Sequence, residues 1–315
     1  MMSFEAFANE VVNRMKTRLG DNYNVSIHRT IKNNSTVQPQ LVIQEIGRKS
    51  GPAVYLKDQY QLYGQNPCSE QMERVMDNIS GLFEEQKETL DELEQWGNLL
   101  TDYRNVKEKI LFRLVNTEDN QEMLRTVPHI PYLDLSIVFY IYLSQLEEGI
   151  MTAVITNRHM EFWGVTVEDL YQAAKINTPE KMPARFCSML DVFADMVGIS
   201  KDELTDELEE DVFQVQENED IPQLYLLSNE PGINGAAALL YPGMLKTCAE
   251  TLKKNLYILP SSIHEVLLVP HEEKVKAAEL AEMIQGVNRE DVPRADWLSD
   301  HAYFYNREDD RLVAV

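Results

Sequence analysis

Apolar residues recur at helical spacing from the start of the chain. Phe4, Phe7, Ala8, Val11, Val12 and Met15 form one stripe, Leu19 continues it, and Gly20 stops it. The spacing predicts a helix over 3–19. Val25 and Ile27 then alternate with polar residues, Lys32-Asn33-Asn34-Ser35 has turn chemistry, and Leu41 and Ile43 resume the alternation. Residues 24–46 therefore read as a hairpin, with 53–56 as a further short strand. Ser69 caps a second helix whose stripe is Met72, Val75, Met76, Ile79, Leu82, Phe83 and Leu90. These elements make a small α-β-β-α unit over residues 1–97.

A larger unit is expected over 98–315. A helix starts at Asp102, and 110–116 reads as its end or as a strand. Residues 133–143 are strongly β-prone, Glu147-Glu148-Gly149 turns the chain, and 150–156 returns as the second arm of a hairpin. Asn157 opens a short helix that Gly164 stops, and Thr166 with Asp169 matches a capping box for the next. Apolar spacing predicts another helix around 186–198. Beyond it, 223–227, 236–241, 256–259, 265–269, 302–305 and 312–315 read as strands. Helices are expected over 242–252 and 272–287. Strands joined mainly by hairpins point to an α+β fold with an antiparallel or mixed sheet and helices packed on it.

The charge changes this picture. The 315 residues hold 29 Lys+Arg against 52 Asp+Glu, a net charge of −23. A field of that sign repels phosphates and anionic lipid, so direct nucleic-acid binding is disfavoured and a basic protein partner is compatible. The acidity is uneven. Residues 202–220 hold ten acidic and no basic residues, which predicts an exposed loop or frayed helix. Glu207, Glu209, Glu210 and Asp211 are its densest part and the candidate partner-binding patch.

Three scattered cysteines, Cys68, Cys187 and Cys248, suit a reducing compartment and suggest neither disulfides nor zinc. The first apolar segment carries Glu5, Glu10, Arg14 and Lys16, unlike a secretion signal, and the longest apolar run, Ile137 to Leu143, is too short to span a bilayer. A cytoplasmic location is expected, without membrane contact.

Three stretches carry a resemblance: LTDYRNVKEKILFRLVN (100–116), TNRHMEFWGVTVEDLYQAA (156–174) and NGAAALLYPGMLKTCAETLKKNLYILPSSIHEVLLVP (234–270). Together they resemble a domain-of-unknown-function family of anaerobic gut bacteria, over nearly the whole chain. The resemblance implies a bacterial cytoplasmic protein and brings no activity, cofactor or catalytic residue.

Phosphate-binding loops, dinucleotide turns, zinc-protease helices and nucleophile elbows are all absent from the sequence. No metal and no cofactor are expected. The chemically densest segment is Pro260 to Glu265, where Ser261, Ser262, His264 and Glu265 bring hydroxyls, an imidazole and a carboxylate together. On a strand, Ser262 and His264 share one face while Glu265 points away, so a local triad is geometrically poor. Asn234-Gly235, ahead of three alanines, permits close approach of a backbone or ligand. Two functions follow. The first is a non-enzymatic binding or regulatory protein that engages a basic partner, in its sharpest form an inhibitor that imitates nucleic acid. The alternative is a small-ligand binder or enzyme, with a pocket lined by Asn234, Gly235, Ser261, Ser262, His264 and Glu265. A polar strand start and ordinary close packing are the bland readings of the same residues.

Overall fold

Ser3 fixes the first helix: its hydroxyl accepts the Ala6 N–H at 3.3 Å, and Gly20 ends the helix at φ 72°. The computed structural model describes residues 2–48, 51–145, 149–198, 223–272, 276–290 and 292–315, and the side chains among them outside 88–99. It divides into two compact units, Met1–Asp102 and Tyr103–Val315.

The first unit runs α1 (Phe4–Leu19), β1 (Tyr23–Ile31), β2 (Val37–Glu45), β3 (Ala53–Tyr55), α2 (Leu56–Gln65) and α3 (Ser69–Leu99). The strands form an antiparallel sheet in the order β1-β2-β3. The predicted stripes close its core: Phe7, Val11 and Met15 of α1 pack with Val25, Leu41 and Ile43 of the sheet and Val75 and Ile79 of α3. Helix α2 is missing from the periodicity reading. Its sequence is mostly polar, and tertiary packing of Leu56, Gln59 and Tyr63 holds it.

The second unit runs α4 (Tyr103–Val106), β4 (Ile110–Asn116), α5 (Gln121–Leu124), β5 (His129–Tyr132), β6 (Leu135–Gln145), β7 (Ile150–Val154), α6 (Asn157–Trp163), α7 (Val167–Lys181), β8 (Ala184–Ser188), α8 (Met189–Val197), β9 (Tyr225–Asn229), α9 (Met244–Leu252), β10 (Leu256–Leu259), β11 (Val266–Pro270), α10 (Ala277–Glu290), β12 (Tyr303–Asn306) and β13 (Arg311–Ala314). Strand β6 organises a four-stranded sheet, with β4 on one edge and β5 then β7 along the other. The other sheet has the order β13-β12-β10-β11-β9-β8. Every strand pairing among the described residues is antiparallel. The fold is α+β.

Three expectations change. The segment 236–241 is not a strand. Gly235–Leu240 is a 3-10 helix with Gly235 to Leu239 buried. Its row of small residues lets the chain coil tightly between β4, β9 and β11. The helix expected around 186–198 is a strand to Ser188 followed by α8, because the Ser188 hydroxyl caps the helix by accepting the Asp191 N–H. Strand β11 begins at Val266 rather than 265, for a reason that lies in the site below. The acidic stretch 202–220, with Glu207, Glu209, Glu210 and Asp211, lies outside the described residues. None of the described helices is long and apolar enough to cross a membrane.

Candidate functional site

Residues 260–265 form a corner rather than a strand start. Pro260 ends the run of β10, and two neighbouring segments then fasten the chain. On one side, the Leu298 N–H donates to the Ser261 carbonyl at 3.0 Å, the Ser299 N–H to Pro260 at 2.8 Å, and the Ile263 N–H to Asp296 at 2.8 Å. On the other, the Ala236 N–H donates to the Ile263 carbonyl at 3.2 Å, which ties the corner to the 3-10 helix. The Ser262 hydroxyl accepts the His264 N–H at 3.0 Å, a local turn that competes with strand pairing and delays β11. Ser262 and His264 therefore do not share a strand face, and the Ser262 hydroxyl is buried in a backbone role.

His264 and Glu265 are the accessible members of this group, and 34% of the His264 side chain is exposed. The His264 Nδ1 lies 3.2 Å from the Gly232 carbonyl and 3.4 Å from the Asn234 N–H, and its Nε2 lies 3.6 Å from Asp296 Oδ1. The two neighbours of Nδ1 make opposite demands. The carbonyl needs a ring proton, and the N–H needs a lone pair. An imidazolium satisfies Gly232 and Asp296 together. A neutral ring protonated on Nε2 keeps its N–H toward Asp296 and accepts from Asn234, leaving the Gly232 carbonyl unmet. Asp296 shifts the balance by raising the His264 pKa above the usual histidine range against the cost of burial, and Glu265 and the Gly232 carbonyl add to the rise.

Asn234 adopts left-handed backbone (φ 53°, ψ 29°), which asparagine tolerates better than most residues. Gly235 follows because nothing larger fits. A Cβ there would stand 2.1 Å from Ser228 Oγ and 2.3 Å from the His264 carbonyl oxygen. Those two atoms already bond each other, the Ser228 hydroxyl donating at 2.7 Å. Asn229 holds the same loop from both ends: its amide donates to the Ile233 carbonyl at 2.8 Å and accepts the Ile233 N–H at 3.1 Å. The fold thus brings Asn234, Gly235, Ser262 and His264 together. Ser261 supports them through its backbone, and Glu265 acts on His264 through its charge.

The four-stranded sheet completes the surroundings. Tyr140 of β6 is buried, which pushes its phenol up to about 12, and the Asn234 amide lies against that phenol and partly offsets the rise. Arg113 of β4 stands in electrostatic reach of the same phenol. Leu111 pairs with Tyr140 and Arg113 with Val138, so Arg113 and Tyr140 face the same side of the sheet, one row apart. Burial lowers the Arg113 pKa, yet the residue keeps some accessible surface. Spacing arguments give Arg113 no weight. The available signal was a single cation inside the apolar run Ile110-Leu111-Phe112 and Leu114-Val115.

A second polar group joins the two sheets of this unit. The Asp134 carboxylate accepts bonds from Ser299 Oγ at 2.6 Å, Tyr303 OH at 2.5 Å and His301 Nδ1 at 3.1 Å. Burial alone would raise its pKa, but these donors hold it below the usual carboxylate range.

Among the described residues, no group of three or more His, Cys, Asp and Glu is placed to hold a metal ion. No curated protein and no solved structure matches the chain. A model of a family of unknown function, DUF5688, matches residues 4–307, and the chain belongs to that family.

Proposed function

We propose that the larger unit is a small-ligand-binding module, with its ligand seated against His264 and the Asn234 turn. The observation that carries this reading is the state of His264. A purely structural histidine is sealed with both nitrogens bonded. Here the ring is held in place by Gly232, Asn234 and Asp296, yet a third of it faces solvent. Its Nε2 stands 3.6 Å from Asp296, beyond hydrogen-bond length. A ring that is oriented at both nitrogens yet partly open to solvent suits a ligand contact.

Binding fits better than covalent chemistry. A nucleophilic serine needs its hydroxyl free beside a base. Ser262 is buried, and its oxygen accepts the His264 N–H. We read the chain as a cytoplasmic, non-enzymatic protein on the same grounds and on its cysteine usage.

A thermal-shift screen of small metabolites against wild type, His264→Ala and Asn234→Gly tests the proposal. At least one compound is expected to stabilise wild type and to lose most of that effect in both variants. Stabilisation by no compound, or equal stabilisation of all three proteins, contradicts it.

A further inference from the structure

We propose that the ligand of this site is a small anion, a carboxylate or phosphate group, bound by Arg113. This rests on the ligand-binding reading above and names the chemistry of what binds.

A guanidinium has five N–H donors and stays charged at any physiological pH. Placed deep in a protein, it is normally matched by a carboxylate or several carbonyls, because an unpaired buried charge is costly. Arg113 has neither. Among the described residues it makes no hydrogen bond and no ion pair, and its one electrostatic neighbour is the Tyr140 phenol, which is neutral at physiological pH. Arg113 nonetheless keeps part of its surface accessible to solvent.

The surroundings suit an anion. The Tyr140 hydroxyl lies within electrostatic reach of Arg113, and the Asn234 amide lies against that hydroxyl. The 3-10 helix that begins at Gly235 packs directly against β4, the strand that carries Arg113. On the other side of Asn234, His264 holds its Nδ1 3.4 Å from the Asn234 N–H, and Asp296 matches its charge.

Other arginines mark the contrast. A cavity of about 430 Å³ in the first unit is lined by Arg14 and Arg18. Arg14 there pairs with Glu73 at 2.6 Å, and Arg18 with Asp77 at 2.8 Å. Those cations are already neutralised. A net charge of −23 also disfavours diffuse anion binding over the surface, so a bound anion reports a specific site.

The test is thermal shift and calorimetric titration of the full chain with inorganic phosphate, succinate and a panel of uncharged metabolites. Wild type, Arg113→Met, Arg113→Gln and His264→Ala are compared. Phosphate or succinate is expected to stabilise wild type, and both Arg113 variants are expected to lose at least about tenfold in affinity for it. Arg113→Met keeps the apolar stem and removes the unpaired charge, so its own melting temperature is expected to be unchanged or raised, which separates loss of binding from loss of folding. Equal anion affinity in wild type and the Arg113 variants overturns the inference. Stabilisation by an uncharged metabolite alone, lost in His264→Ala, overturns the inference and leaves the ligand-binding reading standing. Stabilisation by no compound overturns both.

Discussion

Gly235 is the position where a single atom matters most. Its missing Cβ leaves room for the bond between the Ser228 hydroxyl and the His264 carbonyl, and two of the clashing atoms, the His264 carbonyl oxygen and the Asn229 nitrogen, are backbone and cannot swing aside. Gly235→Ala is expected to destabilise the protein by about 3 kcal/mol through overpacking, measured by urea unfolding. A loss below about 1 kcal/mol, within the ordinary scatter of point variants, would mean the loop relaxes freely. Leu133 gives the opposite case. It is exposed and sits at φ 55°, where a bulky side chain is strained. Leu133→Asn is expected to stabilise by roughly 0.5–1 kcal/mol, read by the same unfolding curves. His264 sets a pH dependence. Asp296 raises its folded pKa above the unfolded value of about 6.5. Its contribution is therefore complete below that value and disappears as pH rises through the folded pKa. Unfolding of wild type and Asp296→Asn should differ at pH 5.5 and converge at pH 8.5. A difference that grows with pH would contradict this assignment.

At the scale of elements, Asp134 is a three-donor clasp between the β5–β6 turn and the start of β12. Its pKa is depressed in the folded protein, so its stabilisation is present above the unfolded value of about 3.9 and is lost as pH falls through the folded value. Asp134→Asn should cost stability at pH 7 and approach wild type near pH 2 in acid-unfolding experiments. Persistence of the full difference at pH 2 would place the effect elsewhere. The elements also differ in how far the sequence reveals them. Helix α1 and the hairpin β1–β2 were readable because their burial follows a single period, 3.6 or 2. The hairpin β6–β7 was readable from its β-branched and aromatic run. The 3-10 helix at Gly235 was not, because Gly-Ala-Ala-Ala-Leu-Leu has no polar positions from which to take a period, and its form is set by the strands around it. Helix α2 escaped for the converse reason, being polar along most of its length. Within the site, Asn234, Gly235, Ser262 and His264 were picked out by local chemical density. Arg113 and Tyr140 reach them only through the pairing of β4 with β6, which no local window contains.

At the scale of the whole molecule, the proposed anion site sets the Arg113 cation in a strongly acidic chain. The acidity and this site make separate predictions. Replacing the ten acidic residues of 202–220 by their amides should abolish capture of any basic partner that the acidity recruits, while leaving anion binding at Arg113 unweakened, since that rests on short-range donors. Parallel loss of both would tie the two functions together. Arg113 is the proposed anion-binding residue. The most direct measurement follows the arginine Nε–H resonances by NMR while inorganic phosphate is added. The resonance absent from Arg113→Met should move, saturably, ahead of those of the paired Arg14 and Arg18. A stationary Arg113 resonance while the others move would contradict the account.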